Sequence, residues 1–430
     1  MSRTWPLGKR GPRRAGDPRA GGAAGGQGRG PATVAGRGVH GAVAAFTRRF
    51  RSGELGSLPV VLGLVVVWII FETANANFLS PRNLSNLSVD IVGTGLIAIG
   101  VVFVLLLGEI DLSVGSVSGL SAAAFAVLNV KQGLPEGVAL LLAVLTGTAI
   151  GAVQGFFFAK VGVPAFVVTL AGLLGWNGLM LYLLGSDGTI NLDDEGLVAM
   201  LTGHYFTDVA AAYGLAAVGT AGYFLVCYLD TRRRRAAGVP SRPLRATLVR
   251  TALLAAVSLA AAAVLNQFQG LPLALLIFVV FLVGLDVVLR RTPYGRMIFA
   301  LGGSVEAARR TGLNVGLVRI SVFMVSGTMA AIGGLFLASR VTSASQTSGS
   351  GNLLMDAIAA AVIGGTSMFG GRGRTWSALL GVLVIQSIAS GVALMGIQTA
   401  VQFMITGGVL LLAVVIDSLS RRAQKAHGRV

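Results

Sequence analysis

From residue 58 onward the chain alternates apolar runs of about twenty residues with short polar stretches. A run of that length, wound as a helix, crosses the roughly 30 Å of hydrocarbon in a bilayer. The runs fall near 58–74, 91–108, 113–129, 137–159, 163–184, 207–229, 248–266, 271–289, 317–338, 354–370, 375–395 and 398–417. They predict an all-α polytopic membrane protein of about twelve transmembrane helices. The two shortest, 113–129 and 354–370, are candidates for re-entrant or broken crossings.

The polar stretches set the expected orientation. With the N-terminal end inside, all of the 34 Lys and Arg residues except Arg82, Lys131 and Arg340 fall on the inner side. That is the asymmetry of the positive-inside rule, and it predicts cytoplasmic N- and C-termini. Removing one crossing would put either the Arg232–Arg235 run or the basic tail outside. The outer stretch 187–208 is acidic instead, with Asp193, Asp194 and Glu195.

Composition agrees. Of 430 residues, 54% are hydrophobic and 12% charged, with a mean hydropathy of +0.78. No soluble core absorbs that much apolar surface, so lipid is the solvent. Residues 1–57 are rich in Gly, Ala, Pro and Arg and lack an apolar h-region, which excludes a signal peptide. They are expected to be a disordered basic cytoplasmic arm that orients the chain and is attracted to membrane lipid. Residues 58–418 form the expected transmembrane domain and 419–430 a basic cytoplasmic tail. The net charge of +17 follows from this topology, and the arm lacks interleaved aromatics, which argues against nucleic acid as a partner.

Catalytic chemistry is not visible. Cys227 is the single cysteine, and His40, His204 and His427 are far apart, so neither a disulfide framework nor a Cys-based metal site is expected. No cofactor is expected either. The four lysines are Lys9, Lys131, Lys160 and Lys425, and no G-x-x-x-x-G-K-[ST] phosphate loop is present, so the chain should not bind ATP alone. Neither H-E-x-x-H nor G-x-S-x-G occurs. Glycine is abundant, at 61 residues, and Gly147, Gly151 and Gly155 share one helical spacing, as do Gly115 and Gly119. Such spacing lets helix backbones approach closely; it also suits helices that flex or line a pore.

Three polar clusters stand out. The first runs from Gly108 through Glu109, Asp111, Ser113 and Gly115 to Ser116. Carboxylates between apolar spans are costly unless they face water or a partner. They form either a tight turn, with Asp111 or Ser113 capping the next helix, or a broken helix lining a translocation path. The second, residues 301–314, reads LGGSVEAARRTGLN. Gly302 and Gly303 end one helix, Ala307, Ala308, Arg309 and Arg310 favour a short polar helix with Glu306, and Gly312 ends it. By parity this stretch faces the cytoplasm, either as a plain loop or as a handle for a separate motor. The third places Asp356, near the outer surface, ahead of Gly364, Gly365, Thr366 and the Gly370-Gly371-Arg372-Gly373 run. Glycine pairs inside a span serve close packing or offer small hydroxyls to a polar solute.

Together these stretches resemble the permease subunits of sugar ABC importers of the ribose/xylose type, with the xylose-type permeases the most similar. That family carries GGIDLSVGS, GGN-x-x-AA-x-x-SGI-N and DAIAAVVIGGTS-FGGRG at the corresponding places. Here Glu109 replaces the second glycine, and Ser304 and Thr311 replace the commoner Asn and Ser. The resemblance covers residues 58–418. It implies a type II ABC importer-like permease, paired with a second permease subunit as a homodimer. An ATP-binding subunit would grip Gly302, Gly303, Glu306, Ala307, Ala308, Arg309 and Gly312, and an extracytoplasmic solute-binding protein would deliver a monosaccharide, xylose or a related pentose or hexose. Glu109, Asp111, Ser113, Gly115, Asp356, Gly364, Gly365 and Thr366 would line the translocation path or break its helices. The rival reading is an ion-coupled secondary transporter using Glu109 and Asp111, against which no second pair of matching broken helices is obvious in the sequence. A scaffold without solute flux is the third.

Overall fold

The computed structural model describes residues 58–240 and 243–426. The expected arm 1–57 and the last four residues of the expected tail lie outside them. Among the described residues, nine helices are long and apolar enough to cross a bilayer, and three shorter apolar helices join them. In chain order the helices are α1 (Leu58–Ala74), α2 (Pro81–Leu106), α3 (Val114–Ala126), α4 (Glu136–Phe156), α5 (Ala165–Leu184), α6 (Leu197–Gly203), α7 (Val209–Ala236), α8 (Leu244–Asn266), α9 (Leu273–Arg291), α10 (Pro293–Gly303), α11 (Val305–Arg310), α12 (Val315–Val341), α13 (Leu353–Ile363), α14 (Thr375–Leu394) and α15 (Thr399–Ala426). Single π-type turns, Val127–Lys131 and Phe157–Val161, extend α3 and α4.

Helices α2 and α12 form the centre. They are antiparallel: Gly93 packs on Gly333 and Leu337, and Gly100 on Ser326 and Met329. Helix α4 lies antiparallel on another face of α12, with Gly147 on Gly327, Gly151 on Phe323 and Gly155 on Ile320. A methyl on Gly147, Gly151 or Gly327 would collide with a backbone oxygen across this seam, so packing rather than hydrophobicity sets the approach. On the far side of α2, Gln386 of α14 donates to the Asp90 carbonyl at 3.1 Å and Ser390 to Asn83 at 2.9 Å. Helix α1 runs parallel to α14, where Trp68 donates to Ser387 at 2.9 Å and Asn75 to the Leu394 carbonyl at 3.0 Å.

Several expectations need correction. Helix α2 begins ten residues before the expected span 91–108. Ser80 caps it by accepting the Asn83 N–H, with Pro81 at its first position. The polar residues that read as loop are spent on neighbours: Arg340 bonds Asp90 at 2.8 Å, and Asn83 receives Ser390. The expected span 354–370 is helical only over α13. Gly364 and Gly365 lie beyond its end rather than inside a span, and Gly365, at φ +103°, turns the chain into an irregular loop. Two short antiparallel ladders amend the all-α expectation. Strands β1 (Thr189–Asn191) and β4 (Ser343–Ser345) pair through Ile190 and Ala344, and β2 (Tyr205–Phe206) pairs with β3 (Leu271–Pro272). They tie the 185–208 stretch to the ends of α12 and α9.

A second broken crossing is present after all. Residues 110–113 enter the bundle without helical structure before α3 starts, and residues 346–352 run from β4 to the start of α13 in the same irregular way. The second segment packs on the helix that follows the first: Gly349 lies on the backbone of Gly115 and Gly119, and Gly334 of α12 backs onto Ser118. Gly334 lies seven residues before the end of α12, about 10 Å along a helix. The start of α13 is therefore well inside the bundle, and Asp356 sits at depth rather than near the outer surface.

Candidate functional site

Parts of the three clusters, Gly108, Gly302 and Gly370–Gly371, converge at one end of the bundle. The Gly371 N–H donates to the Leu106 carbonyl at 2.9 Å, joining the 364–374 loop to the last turn of α2. Gly302, near the end of α10, sits against both groups. A methyl there would collide with the Leu106 oxygen and lie 2.7 Å from the Gly371 nitrogen. Gly370 faces the Gly302 carbonyl from the other side, and Gly108 lies against the Phe369 carbonyl. Backbone touches backbone at every junction, so a displacement of one segment has no flexible side chain to absorb it.

The elbow α10–α11 is built locally. Thr292 caps α10 ahead of Pro293, and Ser304 caps α11 by accepting the Ala307 N–H at 3.3 Å. Glu306 lies in the first turn of α11 and Arg309 and Arg310 in the last, matching the helix dipole. Gly312, at φ +79°, reverses the chain, and Asn314 caps α12 through the Leu317 N–H at 3.1 Å. Gly303, Glu306, Ala307, Arg309, Arg310 and Gly312 are exposed, Gly302 is half-buried and Ala308 is buried. Ala308 thus anchors the elbow while its neighbours present a surface.

Asp111 occupies a different place, buried between α3, α4 and α12. One carboxylate oxygen accepts the Ser113 N–H at 2.9 Å and its hydroxyl at 2.6 Å, and the other accepts the Ser326 hydroxyl at 3.0 Å. Gln154 reaches the Ser113 oxygen at 2.9 Å, and Trp176 Nε1 lies buried nearby without a partner. Ser113 precedes α3 but makes no side-chain cap; the carboxylate of Asp111 takes up the Ser113 N–H instead. Gly115 is the contact that lets Gly349 approach. Ser326 and Gln154 were not anticipated, although a glutamine inside the apolar run 137–159 was a visible signal.

Glu109 sits at the rim, beyond the end of α2. Partial burial raises its carboxyl above the ordinary carboxylate range, opposed by the Arg319 guanidinium. Arg319 itself lies 4.3 Å over the Phe158 ring. Asp356 is half-buried in the first turn of α13 and has no side-chain hydrogen bond or ion pair among the described residues. Thr366 is buried beside Gly373 with its hydroxyl unpaired, and Gly364 backs onto Ser377. No group of three or more His, Cys, Asp or Glu able to hold a metal occurs among the described residues.

This arrangement has the parts of a mechanical linkage: a presented elbow, rigid backbone junctions, and two crossings that start at depth. Comparison with known proteins bears on it directly. Residues 83–414 match the family described as "Branched-chain amino acid transport system / permease component". The chain is 35% identical to a xylose transport system permease protein of Escherichia coli (strain K12), over 86% of this chain and 94% of that one. It is 33% identical to a xylose transport system permease protein of Haemophilus influenzae, over 87% and 99%. It is 32% identical to a ribose import permease protein of Bacillus subtilis (strain 168), over 85% and 94%. No solved structure matches.

Proposed function

The chain belongs to this family of transport-system permease components, and from that premise we propose that it is the membrane subunit of an ATP-driven ABC importer that carries a monosaccharide, xylose or a related pentose or hexose, by alternating access. It is a transport subunit of the cell membrane and not an enzyme; ATP hydrolysis belongs to a separate ATP-binding subunit. An extracytoplasmic solute-binding protein supplies the sugar, and a second copy of the chain completes the pore.

The proposed topology has twelve crossings with both termini in the cytoplasm. Nine are the long apolar helices; α1, α15 and the dipping segment ending in α13 supply the rest. The elbow end then carries Lys160, Arg232–Arg235, Arg245, Arg250, Arg290, Arg291, Arg296, Arg372 and Arg374, in keeping with the positive-inside rule.

The observation that carries the reading is the meeting of Leu106, Gly302 and Gly371. When nucleotide closes the motor domains, they press on Gly303, Glu306, Ala307, Arg309 and Gly312. Gly302 passes the displacement to the base of α2 and to the 364–374 loop together. Each leads to a crossing that starts at depth, through Glu109–Gly115 on one side and Gly364, Gly365, Thr366 and Asp356 on the other. ATP must favour one arrangement over the other, since a ligand shifts an equilibrium only by its differential affinity.

The alternative is an ion-driven carrier using Glu109 and Asp111, and the second broken crossing removes one objection to it. Against it, both oxygens of Asp111 are already engaged by hydroxyls and an amide. Vesicle uptake of a pentose and hexose panel by the chain reconstituted with its ATP-binding and solute-binding partners separates the two. Uptake should require ATP and ignore ionophores; uptake that persists without ATP and collapses with the ion gradient overturns the proposal.

A further inference from the structure

Helices α7 and α8 form a hairpin that the rest of the chain scarcely encloses: the apolar window of each is 11% buried. Its own small core, Ala212, Ala216, Ala262, Leu265 and Leu271, lies at the end joined to the β2–β3 ladder. Beyond that, Thr220 and Ser258 link the two helices at 3.4 Å. The flanks toward the opposite end are exposed and apolar, with Leu225, Leu229, Leu248 and Leu253 among them.

Helix α7 has 28 residues, about 42 Å at a helical rise, against roughly 30 Å of hydrocarbon. Its last two turns therefore project past the hydrocarbon, and they contain Arg232, Arg233, Arg234 and Arg235. Arg245 and Arg250 lie in the first two turns of α8 at the same end, and all six arginines are exposed. Asp230 is the one carboxylate from 230 to 250 and is paired with Arg234 at 3.1 Å. Just above the arginines Phe224 and Tyr228 stack, with ring centroids 6.0 Å apart, as aromatics do at a membrane interface.

We propose that the arginine-bearing end of this hairpin is a binding site for the phosphate headgroups of anionic phospholipid. The acyl chains that cover Leu225, Leu229, Leu248 and Leu253 belong to lipids whose headgroups stand beside Arg232, Arg233, Arg245 and Arg250. The guanidinium fork matches phosphate oxygens, and one carboxylate against the six described arginines leaves the site strongly positive. The lipid clamp steadies a hairpin that protein contacts hold mainly at its other end.

Arginine-directed phenylglyoxal labelling of the full wild-type chain, in phosphatidylglycerol and in phosphatidylcholine vesicles, tests this without mutation. Arg232, Arg233, Arg245 and Arg250 should be protected in phosphatidylglycerol, and the protection should fade as salt is raised. Native mass spectrometry should show preferential retention of phosphatidylglycerol, falling by about tenfold or more when these four are changed to Gln. Equal labelling in the two lipids overturns the proposal, as does a correctly inserted Gln variant that retains phosphatidylglycerol like wild type. Protection that appears only when the ATP-binding subunit is added also overturns it, and assigns the arginines to a protein contact.

Discussion

At the scale of residues, adjacent glycines in the same motif do different work. Gly302 has no room for a β-carbon, because the Leu106 carbonyl occupies that space, whereas nothing lies within 4 Å of the position at Gly303. Gly302→Ala should therefore cost about 2 kcal/mol and abolish coupled uptake. Gly303→Ala should stay within about 0.5 kcal/mol of wild type, read as thermal midpoints in detergent. Asp111→Ala strands the Ser113 N–H and the Ser326 hydroxyl in the interior and should cost about 3 kcal/mol by the same measurement. Equal midpoints for Asp111→Ala and wild type would remove the network from any account of stability. Glu109 gives the pH dependence. Its folded-state carboxyl titrates above its unfolded value, so ionising it in the folded protein is unfavourable, and stability falls as pH rises through the window between the two. Glu109→Gln should raise the midpoint at neutral pH, and the gain should vanish on acidification below the ordinary carboxylate range. The motif itself was legible in the order of Gly, Glu, Asp and Ser along the chain. Which glycine is sterically locked was not, because that depends on a carbonyl some two hundred positions away.

At the scale of elements, apolar length located the long crossings well, since a helix in lipid must satisfy its backbone internally over a fixed thickness. It failed where polar side chains are bonded inside the bundle. Asn83, Asn86 and Asp90 made the first turns of α2 read as loop, although each finds a partner on α12 or α14. It failed again at α13, where the expected span runs on through 364–370 but the backbone at Gly365, φ +103°, turns out of the helix. The short ladders carry too few residues to leave a periodic signal. Ties between neighbouring helix ends are specific as well: Lys131 closes α3 onto the end of α5 through the Leu184 carbonyl and Asp187, at 3.3 and 2.8 Å. The half-buried Glu136 carboxylate caps α6 through the Leu197 and Val198 amides. Glu136→Ala should unfasten α6, seen as faster amide exchange over Leu197–Gly203 with little change in α4.

At the scale of the whole molecule, the elbow and both broken crossings are joined through backbone, and the side of the membrane on which the elbow lies decides what can act on it. Ala307→Cys, placed in a Cys227→Ala background, presents an exposed thiol on the elbow. It should react with a membrane-impermeant maleimide in inside-out vesicles and not in intact cells. Labelling in intact cells would rule out a cytosolic motor gripping this stub. The seam where α4 meets α12 has a further consequence. Gly147, Gly151 and Gly155 bring two backbones together with nothing compressible between them. The pair must travel as a single strut. Rocking of the subunit then has to bend outside the strut, and the non-helical stretches 107–113 and 346–352 are where the two broken crossings can do so, so stiffening either with a proline should stall the transport cycle while leaving the strut intact.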